Sequence, residues 1–426
     1  MERSGEERAL TRECWRRMAG VFALALVLRW GATAWFLPQF KPDLNLDQYR
    51  SLARTLASGE GFICGGEAAG SPYIRRTPGY SFYLAGLILL FGDRLDIFLY
   101  SQGILGALSA ALSIPLARRW LSWRPSILVG VLVALDPQSI LRCADLRSDT
   151  LFTVLFLCGL LHLVWREDRA SAWLFCGVWW GAATLCRPIS MFLWGPALLY
   201  ALLRRLGRRS PILFVVGFAS LTLPWMARNA YHTGHFFLGM IGEENLLAYR
   251  AAGVLARQGG REFDEVRDEI YSRYGSFACF QGREEFEKKR EAYRAEARRI
   301  LLGSPGVVFR QFIEGIGRIL VGPGLNAFDS SLKNPRPFSG IWPMIYVGVM
   351  GVVCLFAAFG AYLLRWKGYW PVILILYFTL LAAGPEGSSR FRLPITPLMV
   401  VLALSSQPLI ERVWRRGQGS GTAPSG

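Results

Sequence analysis

Lysine is nearly missing from this chain. Lys41, Lys288, Lys289, Lys333 and Lys367 are the five, so almost all of the 48 basic residues are arginine. Histidine is rarer still, at three, and the eight cysteines include no CxxC pair, which excludes the usual structural zinc patterns. His232 and His235 are spaced HxxH, but Gly234 interrupts the helix between them and a third ligand is missing. No GxxxxGK[ST] occurs, which argues against a P-loop-driven pump. Neither a Ser/His/Asp arrangement nor a nucleic-acid-binding motif stands out, so the net charge of +17 has to mean something other than nucleic acid.

What the chain does have is apolar length. Hydrophobic residues make up 52% of 426 residues, in runs separated by short basic or Gly/Pro loops, the pattern of a polytopic membrane protein. The positive-inside rule orients the runs. Arg16 and Arg17 place the N-terminus inside ahead of a first span over 18–37, and Ala32-Thr33-Ala34 also allows a signal-peptidase site. Arg29 inside that span costs about 2.5–3.5 kcal/mol in lipid, so it should face the bundle interior or snorkel. The apolar stretch 78–92 is short and is read as an interfacial helix. Spans then follow over 95–117, 126–140, 150–165, 172–186, 189–203, 211–227, 341–364, 370–383 and 393–410. That makes an all-α protein of about ten transmembrane helices with both termini inside. The expected domains are a membrane module over 1–228, a long outer segment over 229–340, C-terminal membrane helices over 341–416 and a flexible tail over 417–426. In the outer segment, 283–302 has acid and base pairs at helical spacing, such as Glu284 with Lys288, and reads as a surface helix or lid. Cys64 and Cys279 both fall in outer loops, where a disulfide is open to them in an oxidising compartment; most of the other cysteines read as small packing residues.

The outer loops hold the chemistry. The first, 41–80, carries Asp43 and Asp47 ahead of an amphipathic helix over 45–57, with Asn45 and Gln48 as a capping box. A carboxylate in the first turn is stabilised by the helix dipole, and near a membrane surface it can serve as general base toward a hydroxyl. The next outer loop, 141–149, adds Asp145 and Asp149. Arg75, Arg76, Arg142, Arg147, Arg187, Arg228, Arg390 and Arg392 collect on the same face, against the positive-inside bias. The guanidinium fork suits phosphate oxygens, and carboxylates beside it suit attack on a lipid-linked phosphosugar.

Taken in order, these segments resemble the GT-C membrane glycosyltransferases, in particular the protein-mannosyltransferase and aminoarabinose-transferase-like branch. The resemblance rests on Asp47, Tyr49 and Ala53, then Gly59 and Gly61-Phe62, Arg76-Thr77-Pro78-Gly79-Tyr80 and Ser148-Asp149. It continues with Thr184-Leu185-Cys186-Arg187-Pro188, Leu223-Pro224-Trp225 with Arg228-Asn229, and Arg390-Phe391-Arg392-Leu393-Pro394-Ile395. It implies an inverting transfer from a polyprenyl-phosphate sugar donor to a lipid, glycan or protein acceptor, on the outer face of a bacterial inner membrane. The first-loop aspartate would act as base, with Asp149 joining the site. Arg75, Arg76, Arg187, Arg228, Arg390 and Arg392 would receive the donor phosphate. Many relatives carry Asp-Glu in the first loop where this chain has Asp47-Gln48, and the Asp-to-Tyr spacing is short, so Asp43 rivals Asp47. They also have Lys or Arg before Pro-Pro where this chain has Arg76-Thr77-Pro78-Gly79. No metal or other cofactor is expected, a divalent ion staying open. The competing readings are a flippase or transporter of lipid-linked sugars, and an O-antigen ligase or polymerase.

Overall fold

The computed structural model describes residues 2–40, 48–65, 70–280, 282–324, 341–365 and 368–406, with side chains from residue 14 onward. Apart from one isolated β-bridge between Ile63 and Pro72, the described residues are helices and loops. The helices are α1 (Glu2–Phe36), α2 (Tyr49–Ala57), α3 (Gly79–Phe91), α4 (Leu95–Ala117), α5 (Trp123–Leu135), α6 (Pro137–Cys143), α7 (Asp149–Trp165), α8 (Ala170–Cys186), α9 (Trp194–Leu203) and α10 (Arg209–Thr233). Then come α11 (Ile241–Asn245), α12 (Ala252–Gly259), α13 (Phe263–Tyr274), α14 (Arg283–Gly303), α15 (Pro305–Leu320), α16 (Trp342–Leu364), α17 (Tyr369–Ala382) and α18 (Thr396–Leu404).

This is an integral membrane protein. The segment Cys14–Gln39, α4, α10 and α16 are each long and apolar enough to cross a bilayer, and the α5–α6 pair is a fifth candidate if its two arms count as one span. The expected count of ten also includes shorter apolar helices of nine to 17 residues, such as α7, α8, α17 and α18. The run read as one span over 126–140 is in fact two helices bent by 52°. Pro137 supplies no N–H to the preceding turn, and Asp136 caps the new helix by accepting from Ser139 N at 3.1 Å.

That break explains Arg29. Fully buried on α1, it donates to Ala134 O at 3.1 Å, Val133 O at 3.3 Å, Ala25 O at 3.1 Å and Ser139 Oγ at 2.8 Å. The carbonyls freed at the end of α5 thus find donors from another helix, as buried backbone groups must. The bundle interior expected for Arg29 is where it lies.

Helix pairing in the bundle depends on small residues. Gly177 on α8 faces the backbone of Phe214, and Gly217 on α10 faces the backbone of Leu174, so a Cβ at either position would strike the partner helix. Trp173, Trp180 and Phe214 fill the space beside this crossing. At one end of the bundle Glu167 accepts from Arg119, Arg204 and Tyr200. The loops 141–149, 187–193 and 384–392 lie at the other.

Residues 237–308 build a second apolar core from Phe277, Phe286, Tyr293, Ala297 and Ile300, joined by Ile74 of the first loop. The helix expected over 283–302 is α14, with Glu284 and Lys288 paired at 2.7 Å. Cys64 and Cys279 are joined by a disulfide with Cα atoms 6.2 Å apart, which ties the first loop to this segment. Of the helix expected over 45–57, Tyr49–Ala57 form α2 and Asn45 lies outside the described residues. Gln48 has φ 64°, a left-handed conformation, so it does not take the helical place that a capping box gives it, and regular turns start at Tyr49.

Candidate active site

A cavity of about 480 Å³ opens where the first loop, the start of α7, the end of α8, the segment 236–250 and the loop 381–391 converge. Its floor is held from below. Tyr80 donates to Gln102 at 2.7 Å, and the Gln102 amide donates to Cys143 O and Asp145 O, which fixes the loop before α7. Tyr80 can reach Gln102 because Gly79 lies against the backbone of Leu185, where any side chain would collide. The RTPGY stretch therefore sets α3 on the end of α8. Asp145, fully buried, accepts from Arg142 at 3.1 Å and from Arg147 at 2.7 Å.

The wall carries Arg76, Arg147, Arg187, Arg250 and Arg390 against Asp149 and Glu386. Asp149, 3% exposed at its side chain, is paired with Arg187. The Phe391 ring lies against two guanidiniums, Arg187 at 4.9 Å and Arg390 at 5.0 Å, so one aromatic ring helps to position both cations. Arg76 lies 5.8 Å from the Tyr49 ring, and Tyr49 shares a hydrogen bond with Ser148 at 3.4 Å. Five cations and two anions leave this described wall three charges positive, the electrostatics of an anion site. Half-exposed Phe192, exposed Phe236 and half-exposed Leu381 at its edge are apolar.

Of the residues expected from the sequence, Arg76, Asp149, Arg187 and Arg390 meet at this cavity. Asp43 and Asp47 lie outside the described residues; Asp47 stands two positions before Tyr49, which lines the cavity. Arg75, Arg228 and Arg392 do not line it, because each is engaged elsewhere. Arg75 forks onto Glu244 at 2.6–3.0 Å, a carboxylate that also accepts from Tyr271 and from Phe277 N. Burial and the charge of Glu244 push the Tyr271 hydroxyl well above its ordinary range. Arg228 donates to Phe62 O at 2.7 Å and Tyr73 O at 2.8 Å, bracing the loop beside the disulfide. Arg392, 1% exposed, donates to Ile319 O, Leu320 O, Gly322 O and the Tyr346 hydroxyl. His235 pairs with Glu287, and among the described residues no three His, Cys, Asp or Glu side chains converge as metal ligands would.

Sequence reasoning missed Arg250 and Glu386. Arg250 is carried on a π-helical turn, Leu246–Ala251, which periodicity does not reveal, and Glu386 sits in Gly384-Pro385-Glu386-Gly387, which reads as a turn and nothing more.

Residues 75–227 match the family model described as dolichyl-phosphate-mannose-protein mannosyltransferase, and this stretch holds Arg76, Asp149 and Arg187. The archaeal oligosaccharyltransferase AglB from Archaeoglobus fulgidus, solved with an inhibitory peptide and a dolichol-phosphate, is similar over 96% of this chain at 12% identity, with a TM-score of 0.54. The chain carries the GT-C fold. This GT-C chain spans about half the length of the oligosaccharyltransferase, 52%. The apo form of that enzyme gives a TM-score of 0.53 at 13% identity, with 96% of this chain and 52% of that chain covered. ArnT from Cupriavidus metallidurans, bound to undecaprenyl phosphate, is 15% identical over 96% of this chain and 81% of its own, with a TM-score of 0.45. No curated protein sequence matches the chain.

Proposed function

We propose that this GT-C protein is a glycosyltransferase that moves a sugar from a polyprenyl-phosphate donor to a hydroxyl-bearing acceptor on the outer face of the membrane, with inversion. The observation that carries this reading is the cavity wall, where Arg76, Arg187 and Arg390 stand beside the buried carboxylate of Asp149 and an apolar edge. A leaving lipid phosphate gains negative charge as the glycosidic bond breaks. Guanidiniums already positioned with help from Phe391 and Tyr49 stabilise that charge without reorganising. Asp47 or Asp43 takes the acceptor proton, and Asp149 orients Arg187. The exposed rings of Phe192 and Phe236 lie where an isoprenoid tail would leave the cavity. The disulfide supports an oxidising outer compartment, in keeping with a periplasm-facing site. The shorter apolar helices complete about ten crossings, with the segment 229–340 outside.

The test is native mass spectrometry of the gently purified protein beside an Arg76→Ala/Arg390→Ala variant. Polyprenyl phosphate or its sugar adduct retained by the wild type and lost in the variant is the expected result. Ordinary phospholipid alone in both samples would overturn the donor assignment and favour a transporter.

A further inference from the structure

Glu386 sits between α17 and the 3-10 turn Ser389–Arg392, on the wall of the same cavity. Its side chain is only 9% exposed. Arg250 places both Nε and a terminal nitrogen on one oxygen, Oε1, at 2.8 Å. The other oxygen, Oε2, is buried with no hydrogen-bond partner. A buried carboxylate with one oxygen unsatisfied is costly, and such a group asks for a donor that the protein itself does not supply. Gly384 makes room for this carboxylate, because a Cβ there would strike Oε2. Arg250 comes from the π-helical turn, an irregularity that recurs at functional sites.

The chemistry of that missing donor is narrow. The remaining charged wall is arginine, apart from Asp149, which is occupied by Arg187. A phosphate would be drawn to the arginines and repelled by Glu386. A sugar hydroxyl is the part of a phosphosugar that donates to a carboxylate, and the bond is strengthened by the charge. We propose that Glu386 is a specificity-determining residue whose Oε2 accepts a hydroxyl of the donor sugar, so that the cavity tells the sugar-loaded lipid from the bare lipid phosphate. The inference rests on the donor assigned above and deepens it: phosphate and lipid are held in common by substrate and spent carrier, and Glu386 supplies the contact that the spent carrier lacks.

The experiment titrates purified wild type and Glu386→Gln with undecaprenyl phosphate and with its glucosyl, galactosyl and mannosyl phosphodiesters, read by native mass spectrometry. In the variant Arg250 selects the amide oxygen, which turns the amide nitrogen toward the position of Oε2 and replaces an acceptor with a donor. The wild type should hold at least one adduct roughly tenfold more tightly than the bare lipid, in line with a hydrogen bond to a charged group. Glu386→Gln should cut that preference sharply, because the charge-assisted bond is lost, while bare-lipid affinity holds or rises as the phosphate is freed from the repulsion of Glu386. Preference retained in the variant, or equal losses for both ligands, overturns the assignment. Failure of the wild type to bind any of the four lipids overturns the donor reading itself, and this assignment with it. Arg250→Gln/Glu386→Gln, which exchanges the ion pair for a neutral amide pair, gives the same readout should the single variant fold poorly.

Discussion

Asp149, the first residue of α7, and Arg187, the residue after the last turn of α8, form an ion pair at the wall of the cavity. The pair binds two helix ends together and sets a guanidinium against Phe391. Removing one partner leaves the other buried and uncompensated, so Arg187→Ala should cost about 3–5 kcal/mol of stability. Asp149→Asn/Arg187→Gln should recover part of that loss in thermal unfolding. Transfer should stay low in both variants. A single variant as stable as wild type would show that the pair is not a structural tie.

The arginines at this end of the bundle divide into those that line the cavity and those engaged elsewhere. Arg390→Ala should weaken retention of polyprenyl phosphate roughly tenfold or more, the scale of a hydrogen bond to a charged group, with little change in melting temperature. Arg392→Ala should do the reverse. It strips donors from the carbonyls of residues 319, 320 and 322 and should cost several kcal/mol, at about 1–3 kcal/mol for each buried group left unsatisfied. Lipid binding and melting temperature measured on the same two preparations decide the matter.

Loss of a general base lowers turnover by about 10²–10⁴-fold. Of Asp43→Asn and Asp47→Asn, one should show that loss while lipid retention persists. Full activity in both would remove the proposed mechanism, and loss of lipid retention in both would point to a role in folding the first loop.

Reduction of the Cys64–Cys279 disulfide should cost about 2–5 kcal/mol, as for other native disulfides. Cys64→Ser and reductant should therefore lower the melting temperature by the same amount and not add to each other. Additive effects would mean that reductant acts elsewhere.

Asp93 lies between α3 and α4 and accepts from Arg50 at 2.8 Å and Arg54 at 2.5 Å on α2. Burial would raise its carboxyl, but the two guanidiniums outweigh it and hold the group below its ordinary range. A depressed carboxylate stabilises the fold above its unfolded pKa, and that contribution is lost as pH falls through the folded value. The window therefore lies below about pH 4. Amide exchange in α2 should rise there in the wild type. Asp93→Asn should already show that faster exchange at neutral pH and respond less to acid.

Much of this site was readable from one sequence. Arg76, Arg187 and Arg390, expected outside against the usual bias, and the Ser148-Asp149 pair at a helix start all line the one cavity. Arg75, Arg228 and Arg392 looked the same, and only long-range partners separate them: Glu244 lies 169 residues from Arg75, and the carbonyls held by Arg392 are some 70 residues away. Burial of such a partner leaves no local pattern. The kink at Asp136-Pro137 was hidden by an apolar run that continued through it, and the left-handed turn at Gln48 before α2 is one that composition does not announce.

The link between Cys64 and Cys279 has a consequence for biogenesis. The two thiols are 215 positions apart, with α3 through α13 between them. They can meet only after that whole stretch has been threaded, and only if both loops emerge on one side of the bilayer. A chain that skipped an odd number of crossings would strand the thiols in different compartments and stay reduced. The oxidised bond is thus a chemical record of correct insertion, readable on a non-reducing gel.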